Sequence, residues 1–179
     1  IGRGEEDCIV DGNQQDNVIR FEGDQGWMVD STTFVAGFTI QNGRAWQTNP
    51  YIYGGGIYCS FSSPTLMNIS ISNNTAISSG GGIYCDFSSP CLIDVTITGN
   101  SAPSGGGIGC VGNSNPGLTD VLLNDNTANS SGGGMYCFSS CPCLSNVIIT
   151  GNMVGFHGGG VFCIHSSPIL ENVAISNNV

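Results

Sequence analysis

The side chains that could do acid–base chemistry are few in this chain, and they are unevenly placed. Eight of the 13 acidic residues precede residue 31. General acid and base catalysis needs ionisable side chains that lie close together on one face of the protein. Beyond residue 53 no two acids are outward neighbours on one predicted strand, and no lysine or arginine occurs there, so the sequence predicts no catalytic residues. The acids of this region are Asp86, Asp94, Asp120, Asp125 and Glu171.

Two of these acids suggest a metal site. Asp94 and Asp120 occupy the same position in consecutive repeats, which predicts carboxylates about 5 Å apart at a partly buried corner. Hard cations such as Ca²⁺ bind carboxylate oxygens, so Ca²⁺ is the one cofactor that we consider. The alternative is that both side chains bond to turn amides, as asparagines do in the equivalent positions of other repeats. Both interpretations stay open at this point.

Nine cysteines are the most distinctive potential metal ligands or redox groups. Their spacing does not indicate a zinc site, because no Cys-x-x-Cys pair or Cys/His cluster at ligand spacing occurs. Five of them each close a glycine-rich motif, which predicts a column of inward-facing sulfurs. Stacked free thiols that fill the core, or disulfides between neighbouring coils, are both compatible with this column. The predicted structural ladder is Cys59, Cys85, Cys110, Cys137 and Cys163.

The same motif carries aromatic residues that we expect to face outward. The pattern Gly-Gly-Gly-apolar-aromatic-Cys places the aromatic side chain opposite the cysteine, because side chains alternate along a strand. Such a row either stabilises the sheet face by stacking or contacts a glycan or another protein. Together with Trp46, which lies in a predicted loop at 44–53, these residues are our candidates for ligand or partner contact. The row consists of Tyr58, Tyr84, Tyr136 and Phe162.

These residues are positioned by a repeat of about 26 residues. Prolines recur at 64, 90, 116, 142 and 168, and a strand that ends in asparagine follows each one. Alternating, β-branched apolar residues with glycine and proline in every unit exclude helices. A fixed period of this size is typical of a solenoid. The predicted fold is therefore all-β, a right-handed parallel β-helix of about six to seven coils.

The repeat also sets the predicted domain organisation. Residues 1–179 form one β-helix domain, with irregular coils at 1–53 and regular coils at 54–179. We expect the chain to be a piece of a longer protein or a unit that stacks.

Composition excludes some partners. The net charge is −10 and the chain contains three arginines and no lysine. Binding to nucleic acid depends on clustered basic residues, so a nucleic-acid partner is not expected. No run of about 20 apolar residues occurs, so membrane insertion is not expected either.

The combined pattern GGGIYC…SSPxLxNVxISxN resembles right-handed β-helix proteins of bacterial surfaces with a pectate-lyase-like fold. Its Gly-Gly-x-apolar and Asn-Asn elements are similar to the repeats of chlamydial polymorphic outer-membrane proteins. This resemblance implies an extracellular or cell-surface protein with a structural or adhesive role. We expect a rigid, non-catalytic rod whose partners are further copies of itself, other surface proteins or glycans. The alternative is part of a carbohydrate-active or carbohydrate-binding β-helix.

Overall fold

The computed structural model describes residues 8–24, 29–46 and 52–179, and its regular structure there consists of β-strands. Each full coil contributes to three parallel sheets, which confirms the predicted β-solenoid of about six turns. Equivalent residues in successive regular coils are 26 positions apart, as in the pair Asn74 and Asn100.

The ten-stranded sheet holds the longest strands of the solenoid. Its central strands, β7 (Thr65–Ser72), β10 (Cys91–Thr98) and β13 (Gly117–Asn124), pair in parallel and in register, so that Leu66, Leu92 and Leu118 stack. Its strands are β1 (Ile9–Asp11), β3 (Phe34–Ala36), β4 (Thr39–Gln41), β7 (Thr65–Ser72), β10 (Cys91–Thr98), β13 (Gly117–Asn124), β16 (Cys143–Ser145), β17 (Ile148–Thr150), β20 (Ile169–Glu171) and β21 (Ala174–Ser176).

The other two sheets complete each coil. The six-stranded sheet contains the glycine-motif strands, and the five-stranded sheet contains the short strands that follow the asparagines. The six-stranded sheet consists of β2 (Ile19–Glu22), β6 (Ile57–Ser60), β9 (Ile83–Asp86), β12 (Ile108–Val111), β15 (Met135–Phe138) and β19 (Val161–Ile164). The five-stranded sheet consists of β5 (Arg44–Ala45), β8 (Thr75–Ala76), β11 (Ser101–Ser104), β14 (Thr127–Ser131) and β18 (Met153–Val154).

Glycine is required in each motif for two separate structural reasons. Gly80 has a φ of +68°, a conformation that L side chains rarely adopt. A Cβ on Gly81 would lie 2.4 Å from the carbonyl oxygen of Gly106 in the next coil. The first glycine therefore turns the chain, and the second lets two coils approach each other.

Two ladders of buried polar side chains connect the coils. The Asn100 amide nitrogen donates to Asn126 Oδ1 at 3.0 Å and to the backbone oxygen of Ile71 at 2.9 Å, and the same bonds recur along the column. In the second ladder, the backbone N–H of Ser88 donates to Ser114 Oγ at 3.0 Å. The fully or nearly fully buried members are Asn74, Asn100, Asn126, Asn152, Ser62, Ser88, Ser114 and Ser140.

The left-handed corners lie next to the ladder asparagines and not at them. The residue before each ladder asparagine has the positive φ, for example Asn73 at 56° and Asp125 at 52°. The ladder asparagine itself turns inward, because its amide must reach the coils above and below. The predicted loop at 44–53 needs correction, since Arg44–Ala45 is strand β5 and Ala45 is fully buried.

Candidate functional site

The aromatic row lies along the six-stranded sheet, where parallel pairing brings equivalent side chains into line. Tyr58 pairs with Tyr84, and Tyr136 pairs with Phe162. The rings of Tyr58 and Tyr84 stack with centroids 5.8 Å apart, and those of Tyr136 and Phe162 with centroids 6.2 Å apart. The row divides into two pairs, because Gly109 occupies the position between Tyr84 and Tyr136.

The first pair is covered by neighbouring side chains. Tyr58 and Tyr84 are only 5% and 7% exposed. Tyr53, at the end of the 44–53 insertion, stacks on Tyr84 with a centroid distance of 4.5 Å, and the Arg20 guanidinium lies 4.4 Å from the centroid of Tyr58. Burial raises the pKa of the Tyr84 hydroxyl well above its usual value. These two tyrosines therefore do not form the exposed contact surface that outward orientation alone suggested.

Arg20 is held in place by polar neighbours on its own strand. Its guanidinium donates to Asn17 Oδ1 at 2.5 Å and forms an ion pair with Glu22. A guanidinium that is fixed in this way can lie flat on an aromatic ring and stabilise it. The covered pair is thus a packed part of the scaffold that is shielded by the first coil and by the insertion.

The second pair is open and is extended by two further rings. Phe156 is 79% exposed, and its ring lies 6.4 Å from that of His157. The His157 ring in turn lies 5.3 Å from the ring of Phe162. Tyr136 and Phe162 are half-buried at the base of this group. We call these four residues, Tyr136, Phe156, His157 and Phe162, the open aromatic patch.

Gly109 separates the two halves for a steric reason. A Cβ at this position would lie 2.4 Å from Ser79 Oγ and 3.0 Å from the backbone nitrogen of Gly80. The Ser79 hydroxyl is buried and has no hydrogen-bond partner within the described parts of the chain. The preceding coil therefore occupies the space that an aromatic side chain would need.

Trp46, the remaining predicted contact residue, is half exposed at 51%. Its indole nitrogen donates to the backbone oxygen of Gln15 at 3.1 Å, and the Arg44 guanidinium lies 5.5 Å from its ring. The ring is thereby fixed on the surface of the first coils, apart from the open aromatic patch. Residues 47–51 of the predicted loop lie outside the described ranges.

The five predicted ladder cysteines do form an inward column. Cys59, Cys85, Cys110 and Cys137 are fully buried, and all nine cysteines of the chain are free thiols. Hydrogen bonds within the column have opposite effects on the pKa of the Cys85 thiol. The bond with Cys110 lowers this pKa, whereas the bond with Cys59 and burial raise it. The raising effects are larger, so the pKa of Cys85 lies well above its usual value. The column is a packing element, and burial keeps the Cys85 thiol protonated.

Asp94 and Asp120 are aligned, but they are exposed rather than partly buried. Each has a positive φ, 55° and 56°, which turns its side chain outward at a kink in the long strand. Asp120 Oδ1 accepts a 3.0 Å hydrogen bond from the Asn146 side chain. No group of three or more His, Cys, Asp or Glu residues suited to a metal ion occurs in residues 8–24, 29–46 and 52–179.

Two sets of residues were not anticipated as parts of a site or ladder. The buried serines precede the repeated prolines by two positions, and their 26-residue spacing could have predicted that they form a ladder. Phe156 and His157 stand directly before Gly-Gly-Gly, where two other repeats have Ser78-Ser79 and Ser130-Ser131, and this departure from those repeats identifies them.

Comparison with known protein families gives one match. Residues 68–86 match the model of the Chlamydia polymorphic membrane protein repeat. The segment contains most of β7, all of β8 and β9, and the second Gly-Gly-Gly motif. The predicted resemblance to this repeat is therefore confirmed, and the chain is a β-helix repeat protein. No curated protein and no solved structure matches the chain.

Within the described residues, no helix has the length and apolar character required to cross a membrane.

Proposed function

We propose that this chain is an adhesin-like β-helix of a bacterial surface, and that it acts as a non-catalytic scaffold. The observation that supports this most strongly is the match of residues 68–86 to the polymorphic membrane protein repeat, within a solenoid built from the same unit throughout. Buried asparagine and serine ladders hold each coil to the next, so the scaffold is rigid over its length.

The non-catalytic part of the proposal rests on where the acids lie. Asp94 and Asp120 are exposed at a strand kink, and Asp120 is bonded to an asparagine side chain. Asp86 is half-buried beside the covered tyrosines, and desolvation raises its pKa. Neither arrangement places two carboxyl groups across a groove that could hold a sugar polymer.

For the adhesive contact, we propose that the open aromatic patch binds glycans. Aromatic faces pack against the apolar faces of sugar rings, and the adjacent His157 provides hydrogen-bonding nitrogens. The charge-poor surface around the patch also favours a neutral ligand over a strongly charged one. Trp46 is a second exposed ring, but it stands apart from the patch, and among the described residues no aromatic ring packs against it.

A finer part of the proposal is end-to-end self-association. Strands that pair in parallel and in register present the same backbone groups at every coil, so a strand edge of one copy can pair with that of another. Such a joint holds two molecules together through one coil face, and we expect association only at high concentration. Light scattering that shows a monomer at every concentration would contradict it.

The adhesive proposal is tested with protein-coated beads on a glycan array and on cell monolayers. We expect retention that the Phe156→Ala variant reduces by about tenfold, because an exposed ring contributes about 1–2 kcal/mol to such contacts. Phe87→Ala is the matched control, since Phe87 is also exposed, at 49%, but lies outside the patch.

Equal retention of wild type and Phe156→Ala would remove the open aromatic patch from the proposal. No retention above uncoated beads would reject adhesion itself. Release of reducing sugars from acidic polysaccharides would favour the carbohydrate-active alternative instead.

A further inference from the structure

The nine free cysteines fall into groups with very different access to solvent. Cys59, Cys85, Cys110 and Cys137 are fully buried, whereas Cys141 and Cys143 are both exposed. A hydrogen bond from Cys137 lowers the pKa of Cys110, but the bond with Cys85 and burial outweigh it and the pKa is raised. Thiol–disulfide exchange requires an accessible thiolate, so the ladder is protected from it.

Cys141 and Cys143 lie on one outward face of the chain. The intervening Pro142 is buried, and Leu144 after them is buried as well. This alternation places both sulfur atoms on the solvent side of the turn that leads into β16. Two residues of extended chain span about 6.6 Å, which is near the upper end of the Cα separations that disulfides bridge. A disulfide also needs Cβ atoms about 4 Å apart, so its closure bends the chain locally at Pro142.

The sulfur of Cys141 has a fixed position within an exposed polar ladder. In the preceding coils the backbone N–H of Ser89 donates to Ser63 Oγ, and that of Asn115 donates to Ser89 Oγ. In the last step of this ladder the Ser167 N–H donates to Cys141 Sγ at 3.3 Å. Sulfur thus takes the place of oxygen in this one coil.

We propose that Cys141 and Cys143 form a redox-active surface dithiol that low-molecular-weight disulfides oxidise to an intramolecular disulfide. The thiolate of one cysteine attacks a sulfur of the small disulfide, whose S–S bond breaks and releases one small thiolate. The second cysteine then attacks the protein sulfur of this mixed disulfide and releases the other small thiolate. Both released thiolates take up the protons that the two cysteines lost, so the protein loses two hydrogens and the small disulfide is reduced to two thiols.

The repeat itself supplies variants that should fold. Cys141→Ser introduces the serine found at the equivalent positions 63, 89 and 167, and Cys143→Thr introduces the residue of the equivalent position Thr65, three coils away. The full chain is incubated in the folded state, at low protein concentration, with oxidised glutathione. Intact mass and peptic peptide mapping then locate the modification, and thermal unfolding checks each variant.

We expect the wild type to lose the mass of two hydrogens in the peptide that contains both cysteines. Each single variant should instead keep one glutathionyl group on its remaining cysteine. The double variant should form neither the disulfide nor the glutathionyl adduct in this peptide. A wild type that carries two stable glutathionyl groups, that does not react, or that forms disulfide-linked dimers would overturn the proposal. Equal reaction of the double variant and the wild type would overturn it as well.

Discussion

The two halves of the aromatic row are built on the same strand motif, yet one half is buried and the other is open. Tyr58 and Tyr84 lie under Tyr53 and Arg20, whereas Tyr136 and Phe162 are joined by the exposed Phe156 and His157. The covering side chains come from the irregular first coils and the insertion, and the added rings come from a single departure from the repeat. Irregular sequence, rather than the repeat, therefore decides which half of the aromatic row is exposed.

The largest expected effect concerns the ladder that supports both halves. Asn126 is fully buried in the coil between them, and Asn126→Ala leaves the Asn100 backbone and side-chain N–H groups without their shared acceptor. We expect a loss of about 4 kcal/mol in the free energy of unfolding, since buried unsatisfied donors are costly. Denaturant unfolding followed by circular dichroism measures it.

Asn178→Ala is the matched control, because Asn178 accepts the equivalent bonds from Asn152 but is itself only half-buried. A loss equal to that of Asn126→Ala would contradict the importance of burial in the ladder. Tryptophan fluorescence, which reports on the first coils alone, would show whether both halves unfold together.

The second prediction compares the two halves directly. Tyr84→Ala removes a buried ring that stacks on Tyr53 and Tyr58, and we expect it to cost about 3 kcal/mol of stability. Phe156→Ala removes an exposed ring, and we expect a change within about 0.5 kcal/mol. Thermal or denaturant unfolding of both variants gives the two values. Similar losses would mean that the open aromatic patch is also a structural element.

The third prediction concerns the position that divides the row. Gly109→Ala should destabilise the protein by about 2 kcal/mol, because its Cβ would overlap Ser79 Oγ. Ser79→Ala alone should be neutral or slightly stabilising, since the buried hydroxyl has no partner in the described structure.

In the double variant, the cost of Gly109→Ala should fall, and a double-mutant cycle of unfolding free energies measures this coupling. Additive effects would place the clash with the backbone of Gly80 instead.

The smallest expected effect is pH-dependent and belongs to the covered half. Desolvation raises the pKa of Asp86 above its usual value of 3.8, so the folded state binds this proton more tightly than the unfolded state. The contribution of Asp86 to stability is therefore greatest below pH 3.8 and is lost as the pH rises through the folded-state value.

Asp86→Ser, which restores the residue found at Ser60, should thus be more stable than the wild type at neutral pH. We expect a gain of about 0.3 kcal/mol, because the carboxyl group is still partly solvated. Melting temperatures at pH 3 and pH 7 should show the gain at pH 7 only; a gain of equal size at both would exclude the carboxyl charge as its cause.

Much of the fold was predictable because the repeat pattern occurs five times in the sequence. The spacing of Pro64, Cys59 and Asn74 with their equivalents fixed the coil length, and alternation fixed the inward columns. The positions of the left-handed corners were not predictable in this way. Asparagine and aspartate both suit such corners, and only the inward turn of Asn74 shows that Asn73 takes that conformation.

The candidate site was predictable only in its orientation. The alternation of side chains along the strand correctly places Tyr58 and Tyr84 outside the core. It contains no information about Arg20 or Tyr53, which reach these rings from other coils. Burial depends on such long-range neighbours, whereas a repeat pattern describes a residue and its equivalents. Phe156, by contrast, was recognisable as an aromatic residue where two other repeats have Ser78 and Ser130.

The asparagine ladder determines how the solenoid responds to tension along its axis. Ladder amides join each coil to the coils directly before and after it, so the tension passes through the interfaces in series. Under such a load the weakest interface yields first while the others remain closed. The solenoid would then lengthen in steps of one coil, and each step would release a defined length of chain.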